Sequence, residues 1–338
     1  MRSTIALARE LQHFRARRRL QAFAAIAIDG GLYIGLSIAV VLAPLAVKPF
    51  ISIGLALIIA RLFVIGHDAC HGSLFADRRA NQFIGTLVFL PSYVPYSLWN
   101  LGHNRTHHAY TNLKGRDYVW TPMSVAEYRS APAWRRALER VYRGPFGHGL
   151  YYLVEMYWKN LLFPRSGDHV PDSQPEYFRD SVVVTTFAIV QVAAFGAAAW
   201  LTSQSIAVVL VMGWLLPFLV WNELMGLAIF LHHTHPAVRW FDDAEEWTAA
   251  EPQLRNSIHV VLPPLVGPFL HNIMEHPAHH IDPLISLFRL PSAEIALEQR
   301  SEAHVQRLTP AFFFDTVRRC KLYDFDTQTW LNFRGQRT

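Results

Sequence analysis

The stretch FISIGLALIIARLFVIGHDACH, Phe50–His71, decides how this chain is read. From Phe50 to Gly66 it is apolar apart from Ser52 and Arg61, and then it runs straight into His67-Asp68-Ala69-Cys70-His71. About 20 helical residues cover the roughly 30 Å hydrocarbon core of a bilayer, so Phe50 to Gly66 is short for a span. Helical continuation through the histidines supplies the missing length. The reading is therefore a membrane helix that ends in two metal-capable side chains.

Three other stretches are long enough to cross: Ala22 to Val47, Val182 to Leu201 and Ile206 to Leu231. A length of 338 residues permits two soluble domains, but a hydrophobic fraction of 51% and a positive mean hydropathy place much of the chain in lipid. The expected fold is all-α and integral to the membrane, one domain over residues 1–338. Its four transmembrane helices form two hairpins, because only Lys48 and Pro49 separate the first pair and Thr202 to Ser205 the second. Residues 67–181 and 232–338 form a helical cap. Arg2, Arg9, Arg15, Arg17, Arg18 and Arg19 place the N-terminal tail, and with it the cap, in the cytoplasm. The first apolar stretch is too long for a cleaved signal peptide, and the chain soon re-enters lipid.

Two further apolar runs, Phe83 to Leu101 and Ile258 to Met274, contain interior prolines and read as interfacial. Topology agrees, since a span at Phe83 to Leu101 would put the first two histidine groups on opposite sides. The net charge of +5 is modest, with nine basic against four acidic residues between Lys114 and Arg165. That basic surface suits anionic lipid headgroups, or an acidic carrier or redox partner. Nothing suggests nucleic-acid recognition, and two cysteines build no disulfide framework.

Histidine is the chain's chemistry. Twelve of the seventeen lie in His67/His71, His103/His107/His108, His232/His233/His235, His271 and His276/His279/His280. Residues four apart share a helical face, so His67 with His71, His103 with His107, and His276 with His280 each aim at one point. The adjacent pairs His107-His108 and His279-His280 diverge by about 100° on a helix and reach two neighbouring ions better than one. This favours a dinuclear centre. Structural zinc prefers cysteine-rich sites and catalytic zinc takes three protein ligands, so an all-nitrogen set of eight or nine suits iron better. A metal transporter would place its ligands near the midplane of the spans, whereas these sit at span ends.

The ordered boxes HxxxH, HxxxHH and HxxHH resemble those of the membrane fatty acid desaturase superfamily. The flanks Thr111-Asn112-Leu113-Lys114-Gly115-Arg116-Asp117, His233-Thr234-His235-Pro236 and His271-Asn272-Ile273 are similar to the acyl-lipid omega-6 and omega-3 branch in bacterial form. The similarity runs from about Gly66 to Ala296. It implies a non-haem di-iron centre that uses O₂ and two external electrons to desaturate a fatty acyl chain carried on lipid, coenzyme A or acyl carrier protein. The implied setting is a bacterial inner membrane with the site on the cytoplasmic side. By motif the ligands are His67, His71, His103, His107, His108, His276, His279 and His280. A ninth is expected near the end of the last span, where we place it at His233, with His232 and His235 as alternatives. His271 is either a ligand or a hydrogen-bond partner of one.

Many relatives have two residues, not three, between the first histidines of the second box. The chain contains no haem-binding cytochrome domain or Cys-rich iron–sulfur segment, so a separate ferredoxin-like or cytochrome-like donor is implied. Hydroxylation and acetylenic-bond formation begin with the same hydrogen abstraction and stand as alternatives, as does a carotenoid ketolase-like oxygenase. Asp68, Asp117, Glu275 and Asp282 are candidates for supporting carboxylates. Asn222 and Gly226 share a face of the fourth span with His233, a face expected either to border an acyl tunnel or to make interhelical hydrogen bonds. Asp29 marks a helix contact or kink, and Arg61 snorkels or pairs.

Overall fold

A computed structural model describes residues 4–164, 174–300 and 303–338. Arg2 and Arg165, used above for charge, lie outside the described residues. Among the described residues, four helices are long and apolar enough to cross a membrane: α1 (Arg19–Leu42), α2 (Lys48–His71), α3 (Pro175–Leu201) and α4 (Ile206–His233).

Their ends differ from expectation for identifiable reasons. Helix α1 stops at Leu42 rather than Val47, because Pro44 pushes Ala43 into an extended conformation (φ −67°, ψ 154°). Lys48 is no linker residue. It is buried at the start of α2, and its Nζ donates to the carbonyls of Val40 (2.6 Å) and Val41 (2.8 Å). Those are among the last carbonyls of α1, which the helix itself leaves unpaired and which favour a cation. Helix α2 continues through the first histidine box and ends at Gly72, whose positive φ of 72° lets its N–H close on Ala69 and Asp68. Within α4, residues Val211–Leu215 form a π-helical turn just before Pro217. Proline lacks an N–H and crowds the carbonyl four residues back, and the widened turn absorbs both defects.

Neither proline-rich run spans. The first divides into helix Arg78–Phe89, a 3-10 turn at Leu90–Ser92 and helix Tyr96–Asn100. The second contains strand β1 (Ile258–Val261) and a short helix Val266–Phe269. The all-α expectation needs correcting here, although the described residues are mostly helical. Strand β1 pairs in parallel with β2 (His304–Arg307), and β3 (Leu322–Asp324) pairs antiparallel with β4 (Thr329–Leu331). The Ile-His-Val-Val segment alternates buried and half-buried positions, as β-branched residues on a half-covered ladder do.

The core lies where α2 and α4 meet. Phe63 packs on Phe89, Trp99 and Trp221 at centroid distances of 4.9, 4.7 and 4.7 Å. By contrast, Ile34 and Ile38 of α1 and Ile189 and Trp200 of α3 are exposed. Large apolar side chains on the outer faces of helices this long are suited to lipid contact.

Candidate metal centre

The end of α2 presents His67 and His71 on one face, with ring centroids 4.7 Å apart. The second box behaves differently. Leu101–His107 is π-helical, and the His108 N–H donates to the His103 carbonyl at 2.9 Å. An i→i+5 turn brings residues five apart onto one face. His103 therefore meets His108, Nε2 to Nε2 at 3.1 Å, while the His107 ring lies farther off, 5.6 Å between centroids against 4.6 Å for His108. The α-helical expectation for His103 and His107 is overturned by this one-residue widening. The third box sits on a short helix, α5 (His276–Ile281), where His276 and His280 approach to 2.9 Å between Nε2 atoms.

These elements assemble two groups of rings. His67, His71, His103 and His279 each offer a nitrogen within 4.8 Å of the others, and His107, His233, His276 and His280 do the same. His108 joins the first group through His103 and through His279 (Nε2 to Nε2, 3.1 Å), while its ring stacks 4.4 Å from His280 of the second. His107 and His108 separate between the groups, as do His279 and His280. All nine residues expected as ligands are brought together, with His233 in the second group.

The nitrogens face one another. His67 to His103 is 2.8 Å, His107 to His233 is 3.1 Å and His233 to His276 is 2.9 Å, all between Nε2 atoms. Burial, together with mutual repulsion among the rings, holds His103, His108, His276, His279 and His280 well below the usual imidazole range. They are neutral at physiological pH and carry lone pairs. Nitrogens about 2.1 Å from one cation at right angles to each other lie about 3 Å apart, so the spacing fits metal ligation. The tautomers agree. His107 Nδ1 donates to Asp117 at 3.0 Å and His233 Nδ1 to the Asn256 carbonyl at 3.0 Å, leaving each Nε2 free to bind. His280 Nδ1 lies 3.4 Å from the Thr111 hydroxyl.

A sequence profile of the family described as "Fatty acid desaturase" matches residues 42–311. The chain belongs to the fatty acid desaturase family. It is 31% identical over 245 residues to a chloroplastic omega-6 fatty acid desaturase of Arabidopsis thaliana, covering 71% of this chain and 51% of that one. It is 32% identical to an sn-1 oleoyl-lipid 12-desaturase of Synechocystis, covering 70% of this chain and 64% of that relative. An sn-1 acyl-lipid omega-3 desaturase (ferredoxin) of the same organism is also 32% identical, at 70% and 63% coverage. The matches thus span about half to two thirds of these relatives' lengths.

In this family member a mainly apolar cavity of about 220 Å³ reaches the histidines. Phe63 and Val64 of α2 line it, with Trp221, Leu224, Met225 and Ala228 of α4, and His67, His103, His107, His233 and His276 bound its metal-side end. Asn222 and Gly226 are not part of this wall. A Cβ on Gly226 would sit 2.1 Å from the His148 carbonyl oxygen, so the glycine lets α4 touch the backbone of helix His148–Tyr151. Glu223 secures the same crossing, accepting from the Gly149 N–H at 2.7 Å and facing His148 Nδ1 at 3.2 Å. Asn222 donates back to the Phe218 carbonyl at 2.7 Å. Gly226 thus serves a helix contact, whereas the Asn222 bond stays within α4.

Other candidates resolve similarly. His232 stacks on His276 at 3.7 Å and turns its Nε2 to the Met274 sulfur at 3.2 Å. His235 accepts from the Ala237 N–H, outside both groups. His271 bonds to Asp29 at 2.6 Å, and Arg61 pairs with the same carboxylate at 2.7 Å, so His271 lies with that pair, outside both histidine groups. Asp68 lies 3.5 Å from His67 Nδ1 but spends its other oxygen on the Leu287 N–H at 2.7 Å. Asp282 pairs with Arg15, and no described bond joins Glu275 to a histidine. Sequence reasoning missed Thr111 and Asn256. Thr111 follows His107 by four residues, a usable signal, whereas Asn256 acts through a backbone carbonyl and leaves none.

Proposed function

We propose that the protein is a membrane fatty acyl desaturase that uses O₂ and two external electrons to place a double bond in a lipid-borne acyl chain. Two abutting all-histidine groups at the end of an apolar cavity are the observation that carries this reading. The first group, His67, His71, His103, His108 and His279, holds one iron, and His107, His233, His276 and His280 hold the other. Bound iron supplies O₂ activation and removal of hydrogen from unactivated carbons.

The rest is done by the chain. Phe63, Trp221 and Met225 exclude water from the acyl chain, each buried CH₂ adding about 0.8 kcal/mol to binding. Asp117 and the Asn256 carbonyl fix the tautomers and ring planes of His107 and His233. Trp99 stacks on His103 at 5.0 Å and limits its rotation.

The short links between α1 and α2 and between α3 and α4 support two hairpins, with the histidine-bearing ends sharing the side of the arginine-rich tail. That side is cytoplasmic, and a bacterial inner membrane is the setting. The electron donor is a separate protein of ferredoxin or cytochrome type, and the ferredoxin in the omega-3 relative's name favours the former. Expression in a host lacking polyunsaturated lipids, followed by mass spectrometry that locates double bonds, tests the reading. New dienoic chains on membrane lipid are expected. Hydroxylated or acetylenic chains would assign the alternative oxidation, and unchanged lipids with donor and iron supplied would overturn the proposal.

A further inference from the structure

Outside the histidine centre, a second ligand-type cluster lies between β1 and the helix α6 (Leu290–Glu298). His259 of β1, with Glu294 and Glu298 of α6, each place one ligand-type atom within 4.8 Å of the others. The two glutamates are four residues apart and share a helical face. His259 Nδ1 contacts Glu298 Oε1 directly. Glu294 is 1% exposed; one of its oxygens accepts from the Ala278 N–H at 2.8 Å, and the other, Oε1, finds no partner among the described residues. A buried carboxylate oxygen without a donor is costly, so the missing group is worth seeking.

No described hydrogen bond brings a cation of the chain to that oxygen. Burial pushes the Glu294 carboxyl up to about 8, and nearby Glu298 and Glu275 push the same way. Arg300, just past α6, pairs with Glu10 at 3.1 Å, and Arg15 pairs with Asp282, just past α5. His259 and Glu298 retain 15% and 30% side-chain exposure, which gives an ion and its remaining water a route in.

We infer that His259, Glu294 and Glu298 form a third metal site, separate from the two histidine groups, for a divalent first-row cation of the zinc class. One imidazole nitrogen and two carboxylate oxygens suit such a borderline ion and leave a position for water. The ion clamps α6 to β1. Because Glu294 also holds the first turn of α5, the clamp stiffens the platform beneath His276, His279 and His280. The inference does not depend on which oxidation the histidine centre performs.

The test titrates iron-loaded, detergent-purified protein with zinc while both metals are counted. One saturable zinc equivalent is expected with iron content unchanged, and the melting temperature rises by about 5 °C at saturation. Glu298→Gln removes both effects yet keeps its iron, and His259→Gln provides the same readout should the first variant fold poorly. Absence of a saturable zinc equivalent, or one that persists in both variants, overturns the third site.

Discussion

In the group formed by His107, His233, His276 and His280, three rings are tied from behind, by Asp117, the Asn256 carbonyl and the Thr111 hydroxyl. In the group formed by His67, His71, His103, His108 and His279, no described hydrogen bond secures a second ring nitrogen. His67 Nδ1, His71 Nε2 and His279 Nδ1 are buried without described partners, as is His276 Nδ1 in the other group, and this side has the longer approach of Asp68 and the stacking of Trp99. Chemically identical rings are thus held in two ways. Tautomers fixed in advance give a firm site, whereas rings held only by packing adjust as metal binds. The firm group lies deeper, and the adaptable one has three half-buried members, His71, His103 and His108.

The largest expected effect is loss of a ligand from either side. His107→Ala and His279→Ala each abolish turnover while membrane insertion is retained, as measured by product formation and detergent-extracted yield. Wild-type activity in either would break the assignment of rings to metals. Next comes the support. Asp117→Asn lowers iron affinity by about 10–100-fold, read by competition with a chelator, because the His107 tautomer is no longer fixed. Asp68→Asn has a smaller effect on iron and appears mainly in melting temperature, since its short bond is to the Leu287 backbone. Equal iron loss in the two variants would erase the contrast between the groups.

A smaller effect separates packing from substrate binding on α4. Gly226→Ala forces a methyl group against the His148 carbonyl and costs about 1–3 kcal/mol of stability, measured by thermal melting, with chain-length preference unchanged. Met225→Trp narrows the cavity and shifts product profiles toward shorter chains, with little effect on melting. A changed chain-length preference in Gly226→Ala alone would return that face to the acyl path.

How much of this was legible in the sequence follows from the physics of each element. His67 and His71 could be paired from spacing because α2 is an ordinary helix to its end. The separation of adjacent histidines between two groups of rings also followed from their spacing. His103 was assigned the wrong partner because a π-helical turn depends on packing around Leu101–His107, and i→i+5 bonding leaves no periodic signature over so few residues. Spacing relates Gly226 to Asn222 along α4, but the neighbour of Gly226 is the distant His148–Gly149 backbone, which no local pattern reveals. Lys48 looked like a linker until the carbonyls of α1 appeared beside it. The ion group of Asp29, Arg61 and His271 joins residues 242 positions apart, beyond any local pattern.

The central claim is that the two histidine groups each hold one iron and together oxidise an acyl chain. Iron quantification combined with single-turnover product analysis under O₂ tests it most directly. The account predicts two irons per chain and a new double bond formed only when reductant and O₂ are both supplied. Two bound irons with no O₂-dependent change in the acyl chain would contradict it.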